Sequence, residues 1–362
     1  MAIPSSQQQQ QQQQHHTRPH ITTEVVEISG WPTDVVSIDY KTTTTTTVAH
    51  TYILFLPGNP GLVGWYIPAL YRILEELGPG FAVRGISYAG HGCTDDIVQV
   101  EAYDNDDDAL SSSNQSKRNV DIPWTLHGQL EHKMIWMEQY VLTKEDKNQP
   151  TRPQFIFLSH SIGSYFVEQM LVIQTDWRHR TIANLYWMPF IRMAADSWWE
   201  QYKLDCVSQQ LPQSMVMNVA KRMVHMFHTS KHLNHLRHGW FQSTIPDPAA
   251  RDIALRLTNQ TTFVRNFLEL GLEEIRDLPQ IPDTSALRLL SNIPTFIFYC
   301  PKDKWFPEYH VKDIQQHAPN VEVTLDPNCI HAFIVHPDQV PSAIDFCVRS
   351  IRKVIAIPSS KL

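Results

Sequence analysis

Gln154-Phe155-Ile156-Phe157-Leu158-Ser159-His160-Ser161-Ile162-Gly163 is the stretch whose reading decides the fold. Its first half is an unbroken apolar run of strand length, and an unbroken rather than alternating run suits a strand buried on both faces. Its second half opens a helix, with Ile162, Phe166, Met170 and Ile173 on one face. Ser161 therefore stands where a buried strand meets a helix, the context in which a nucleophilic serine is presented on a sharp turn. Such a turn brings backbones close and needs small neighbours. The usual pattern is Gly-x-Ser-x-Gly; here Ser159 replaces the first glycine, and Gly163 supplies the second. A serine capping a helix start is the competing reading of the same residues.

Working outward, the same rhythm recurs. Tyr52–Leu56 is a second buried-type strand, stopped by Pro57-Gly58. A helix over 65–77 and a strand over 81–88 follow, then a helix over 124–141. After the serine come a short strand at 184–188 and a region from 190 to about 290 that reads as helical. Strands at 294–300 and 321–325 and a helix over 338–356 close the chain. Upstream, strands at 24–28 and 35–39 flank a Gly30-Trp31-Pro32 turn. This alternation gives an α/β fold, a mostly parallel central sheet flanked by helices, interrupted once by a helical cap. The expected organisation is a disordered Gln-rich tail at 1–22, a core made of 23–188 and 291–357, a cap at 189–290 and a tail at 358–362. An acidic insertion at 94–121, containing Asp104-Asn105-Asp106-Asp107-Asp108, reads as a solvated loop within the core.

A nucleophilic serine needs a base, and the base needs an orienting carboxylate, in the chain order Ser…Asp…His for this strand–helix arrangement. Asp303 lies just past the strand at 294–300, and His331 lies in the loop after the strand at 321–325. Both therefore arrive at the carboxyl ends of adjacent strands. His160 and His336 are rivals for the base. His160 neighbours the serine in sequence and is expected to point elsewhere, and His336 falls at the start of the last helix. A tetrahedral intermediate also needs two backbone N–H donors. Ile162 follows the serine and is one. The other comes from the Pro57-Gly58-Asn59-Pro60-Gly61 loop, with Asn59 preferred and Gly58 second. No Cys/His/Asp/Glu spacing of a metal site is present, and this chemistry calls for no cofactor.

Phe55–Gly61 with Trp65-Tyr66, Ser87–His91, Leu126 through His132-Lys133, His160–Gly163 and His331–Ile334 together resemble the lipid droplet-associated hydrolase family, a branch of the α/β-hydrolases. The resemblance runs over about 50–350. It implies the α/β-hydrolase fold and a serine esterase-type triad, which by motif falls on Ser161, Asp303 and His331. It further implies association with lipid droplets and the endoplasmic reticulum, and neutral lipid substrates such as triacylglycerols or sterol esters. Ser159, where the family usually has glycine, is a departure that bears on catalytic efficiency. A peroxisomal acyl-CoA thioesterase using the same triad, and a weakly active or non-catalytic adaptor on a lipid surface, are the alternatives.

Composition narrows the partners. The 362-residue chain carries a net charge of −7, which disfavours nucleic acid. No run of about 18 apolar residues spans a bilayer, and the start, with Gln7–Gln14, lacks the features of a secretory signal. Five cysteines without a Cys-x-x-Cys pair read as reduced thiols. Ser360-Lys361-Leu362 matches the address read by the peroxisomal import receptor. Between Asp205 and Asp247 there is no acidic residue, and His225, His228, His232, His235 and His238 recur at helical spacing. A basic face set against Met, Phe, Leu and Trp suits a cap helix that lies on a lipid surface; a lid packed over the site is the plainer reading. Trp187, Trp198 and Trp199 line an acyl pocket or belong to the core.

Overall fold

The computed structural model describes residues 18–40, 50–92, 125–143, 152–193, 213–279 and 283–356. Its strands are β1 (Pro19–Ile28), β2 (Trp31–Tyr40), β3 (Thr51–Leu56), β4 (Phe81–Ile86), β5 (Gln154–His160), β6 (Thr181–Trp187), β7 (Thr295–Tyr299) and β8 (Glu322–Leu325). The helices are α1 (Ile67–Leu77), α2 (Leu126–Trp136), α3 (Gly163–Ile173), α4 (Thr175–Arg180), α5 (Gln213–Thr229), α6 (Lys231–Thr244), α7 (Pro248–Leu257), α8 (Thr261–Asp277), α9 (Thr284–Asn292), α10 (Glu308–His317) and α11 (Val340–Ile355).

The strands form one eight-stranded sheet in the order β1-β2-β4-β3-β5-β6-β7-β8. The β1–β2 and β2–β4 pairs are antiparallel and the rest are parallel. Crossover helices cover both faces, so the central strands have no polar side. All six residues of β3 and all five of β7 are buried, as are six of the seven in β5. Each fully buried aliphatic or aromatic side chain there contributes about 1.5–3 kcal/mol relative to exposure. Connections run from β3 towards β4 on one side and from β5 towards β6 on the other. The strand order thus reverses between β3 and β5, and the crevice beyond their carboxyl ends is where such sheets place ligands.

Several local expectations shift. β1 begins at Pro19, inside the segment read as tail. The hairpin turn is Ser29-Gly30, both at positive φ (54° and 81°), as a two-residue hairpin loop requires. Trp31 and Pro32, read as turn, open β2 because the register pairs Ile28 with Trp31. The helix expected from 65 is a 3₁₀ turn over Val63–Tyr66 running into α1, and α2 continues as a π turn over Met137–Leu142. The cap helix expected to carry the histidine series is broken at Ser230, whose side chain caps α6. His225 and His228 therefore belong to α5 and the other three to α6, not to one continuous face. α9, placed at the end of the cap by sequence, packs against α3 of the core. α5, α7 and α8 share a small apolar cluster with the core's Leu62. Trp187 is core, packed on Phe55 and edge-on to Phe333. Trp198, Trp199, the acidic insertion and the terminal tripeptide lie outside the described residues. Among the described residues no helix is long and apolar enough to cross a membrane.

Candidate active site

β5 ends at His160 and α3 begins at Gly163, which leaves Ser161 and Ile162 to make the whole turn. Ser161 takes a φ of 52°, a left-handed conformation that L-residues adopt at a cost of the order of 1–3 kcal/mol. Its backbone N–H donates to Trp187 O (3.0 Å), and its carbonyl accepts from Ser164 and Phe190 (3.0 Å each). These bonds hold the strained residue in place. Gly163 has no room for a side chain: a Cβ there would lie 2.4 Å from Leu56 O and 2.7 Å from Pro57 O. Ser159, in the position of the usual first glycine, is fully buried, and its hydroxyl meets that of Ser164 at 2.9 Å. The larger residue is thus accommodated with its polar group satisfied.

Ser161 Oγ lies 2.8 Å from His331 Nε2, and His331 Nδ1 lies 2.8 Å from Asp303 Oδ2. The three residues expected from sequence come together, although they are carried by three separate loops. Asp303 sits in the turn after β7, where its Oδ1 accepts the N–H groups of Trp305 (2.8 Å) and Phe306 (3.3 Å). Burial pushes its carboxyl up in pKa. The His331 imidazole, the hydrogen bond to it and the two N–H donors more than reverse this, leaving Asp303 below its ordinary range. It is therefore ionised at neutral pH and acts on Nδ1 as acceptor alone. Nδ1 must carry the imidazole proton, and Nε2 is left to accept the serine proton. The loop bearing His331 is pinned where Gln339 Oε1 accepts the Ile330 N–H (3.0 Å) and where Asp326 binds Ser342 and Cys329.

Of the rival histidines, His336 follows the short 3₁₀ turn Phe333–Val335 and is not the partner of Ser161. His160 does not meet the Ser161 hydroxyl either, yet it does not point away from the site as its position suggested. Its Nδ1 contacts Tyr66 Oη at 2.7 Å and its Nε2 contacts His331 O at 2.9 Å.

The loop after β3 lies directly on this turn. A Cβ at Gly58 would be 2.8 Å from Ser161 Cβ. The Gly58 N–H is committed to Tyr66 Oη (3.4 Å). Among the described residues the N–H groups of Asn59 and Ile162 donate to nothing, so these two remain available for an oxyanion. The Asn59 side chain beside Glu274 of α8 favours the ionised carboxylate, but burial outweighs it and pushes Glu274 up to about 8. Tyr88 supports the same loop through Pro57 O (2.6 Å), and His91 through Pro60 O (2.6 Å). Cap helix α8 reaches the core again where Asn266 donates to Gly90 O (2.9 Å). Sequence reasoning missed Glu274, which no local pattern marks. Tyr66 was visible only as part of the Trp65-Tyr66 pair beside the glycine loop. Among the described residues no group of three or more His, Cys, Asp or Glu is arranged to hold a metal ion.

An eight-stranded, mostly parallel sheet with a serine on a strained strand–helix turn defines the α/β-hydrolase fold, and comparison with solved structures agrees. A haloalkane dehalogenase from Agrobacterium tumefaciens superposes with a TM-score of 0.56 over 92% of this chain and 97% of its own, at 16% identity. At that identity the likeness is one of fold. The pattern of the lipid-droplet associated hydrolase family matches residues 49–334, and the chain belongs to that family. Similar relatives are the lipid droplet-associated hydrolases of Homo sapiens and Pongo abelii. Both are 25% identical, over 300 and 303 residues, covering 79% of this chain and 81% of each relative.

Proposed function

We propose that the protein is a serine hydrolase that cleaves carboxylic esters of apolar lipids through Ser161, His331 and Asp303. The observation that carries this reading is the continuous Ser161–His331–Asp303 hydrogen-bond chain on a strained turn. Ser161 Oγ attacks the ester carbonyl while His331 Nε2 takes its proton. The Asn59 and Ile162 N–H groups stabilise the oxyanion. Collapse expels the alcohol, which takes the proton back from Nε2. Water, deprotonated by the same nitrogen, then releases the acid and restores Ser161.

The apolar character of the substrate rests on the family and on the cap. α5 and α6 expose Met215, Val219, Met226, Leu236 and Trp240 together with Lys221, Arg222 and Lys231. No acidic residue lies on either helix. Apolar side chains among cations suit the monotopic surface of a lipid droplet or an anionic membrane, which the cap would contact to reach a lipid ester. Acyl-CoA thioester cleavage is the second reading. It uses the same three residues and is favoured by the Ser360-Lys361-Leu362 address.

Labelling of the purified full chain with a fluorophosphonate probe tests the mechanism. Wild type is expected to label, and Ser161→Ala and His331→Ala are not. A folded wild-type protein that does not label in the presence of lipid would overturn the hydrolase reading in favour of a lipid-surface adaptor. A panel of ester and acyl-CoA substrates separates the two enzymatic readings. Imaging a tagged chain with and without its last three residues tests the peroxisomal address.

A further inference from the structure

Ester cleavage leaves one buried polar chain beside the triad unused, and its donor–acceptor directions can be worked out atom by atom. The carbonyl of His331 can only accept, so at 2.9 Å the His160 Nε2 must carry a hydrogen. The pocket around His160 is lined by Tyr66, Phe333 and the His331 ring, whose centroid is 5.2 Å away. Burial and the neighbouring His331 push His160 down to about 3, so its ring is neutral and has a single N–H. Its Nδ1 is therefore bare and accepts the Tyr66 O–H at 2.7 Å. The Tyr66 oxygen in turn accepts the Gly58 N–H. The chain reads Gly58 N–H to Tyr66 O–H to His160 Nδ1, then His160 Nε2–H to His331 O, with every direction fixed.

We infer that His160 and Tyr66 are positioning residues that tie the oxyanion loop, the residue before the nucleophile and the backbone of the catalytic base into one rigid unit. This inference rests on the hydrolase reading of Ser161. Three loops that are distant in sequence must hold Ser161, His331 and the Asn59 N–H in register to a fraction of an ångström, and a misplacement of 1 Å costs about 100-fold. Gly58 abuts Ser161 Cβ and His160 Nδ1 with no space for a methyl group, so displacement of any member of the chain is felt by the others. The neutral ring serves a second purpose. His331 gains a positive charge in the tetrahedral intermediate, and a neighbour that stays neutral adds no like charge to repel it.

The test compares second-order rate constants for fluorophosphonate labelling of the full chain. His160→Leu, which lacks both polar atoms, is expected to slow labelling by about 10- to 100-fold. His160→Gln can place an N–H near Nε2 and should recover most of the rate. Tyr66→Phe should slow labelling, and combined with His160→Leu it should slow it no further, because the two act in series. Labelling of His160→Leu at the wild-type rate, or equal slowing by Leu and Gln, would overturn the proposal. Long-range proton–nitrogen NMR of the wild-type imidazoles adds a readout that packing alone would not move. His160 is expected as the neutral Nε2–H form at neutral pH, and an Nδ1–H form or a charged ring would overturn the proposal. If wild type does not label at all, the hydrolase reading fails, and the NMR result still decides the hydrogen-bond chain.

Discussion

Replacing Asp303 by asparagine changes one atom of the site, and the hydrogen bonds around that atom dictate the consequence. Asp303 Oδ1 is held by the Trp305 and Phe306 N–H groups, so the asparagine oxygen must stay there to keep those bonds. The amide nitrogen is then forced into the place of Oδ2, 2.8 Å from His331 Nδ1. Two N–H donors cannot face each other, so the imidazole proton moves to Nε2. That atom is 2.8 Å from Ser161 Oγ and must be bare to accept the serine proton. The wrong tautomer costs about 10³- to 10⁴-fold in rate, or about 4–5.5 kcal/mol of barrier. The assay is kcat/KM on a short-chain p-nitrophenyl ester alongside the rate of fluorophosphonate labelling, with near-UV circular dichroism to establish folding. Because the Asp303 pKa is depressed, its ionised form adds stability above about pH 4 that is lost as pH falls through the depressed value. The asparagine variant lacks this contribution, so its stability deficit should close in acid. A folded variant within tenfold of wild-type activity would refute the assignment of Asp303 as the group that sets the His331 tautomer.

Three further outcomes are expected. Glu274 is raised from 4.5 to about 8 by burial, so the folded chain holds a proton there that the unfolded chain releases. Its contribution is full below about pH 4.5 and falls by about 1.4 kcal/mol per pH unit up to about pH 8. Glu274→Gln should therefore gain stability over wild type as pH rises through that window in urea titrations, and parallel curves would refute the buried proton. Lys133 is buried over the Tyr88 ring (3.9 Å) with Nζ bonded to Gln129 Oε1 (2.7 Å), and burial holds its pKa well below the ordinary range. Gln129 Oε1 still accepts the Ala89 N–H without it. Lys133→Met should raise stability at neutral pH, by an amount that shrinks as pH approaches the free-lysine value. A lowered melting temperature would count against this. Leu236→Ser with Trp240→Ser should weaken flotation with triolein emulsions by about tenfold per residue while leaving hydrolysis of a soluble ester unchanged. Unaltered flotation would remove α6 from the docking surface.

Much of this molecule could be read from short windows of its sequence. Unbroken apolar runs at Tyr52–Leu56 and Gln154–Leu158 mark strands with no polar face, because burial on both sides leaves no position for a polar residue. The small residues around Ser161 mark a turn where backbones nearly touch, and the structure puts the Gly163 Cβ position 2.4 Å from a carbonyl. Asp303 and His331 could be placed because parallel strands deliver the residues that come after them to the same edge of the sheet. These are local or topological constraints, and a one-dimensional pattern carries them. The break at Ser230 was less legible, since a serine in a run of helix formers becomes a cap only when neighbouring helices fix the direction of the next turn.

Other features have no trace in any window. Tyr66 and His160 are 94 residues apart, and His160 and His331 are 171 apart. Asn59 meets Glu274 from a different layer of the fold. A tyrosine or glutamate reads the same whether it ends in solvent or in a buried hydrogen bond, and the partner is chosen only when the sheet order brings distant loops together. The tautomer of His160, the proton on Glu274 and the spare N–H groups of Asn59 and Ile162 all depend on which atoms are excluded from water and which acceptor each one faces. Sequence by itself determined the strand–turn–helix that presents Ser161 and the order of its partners. Tertiary structure alone decided how rigidly they are held, because low-dielectric burial and donor–acceptor geometry exist only once the loops have met.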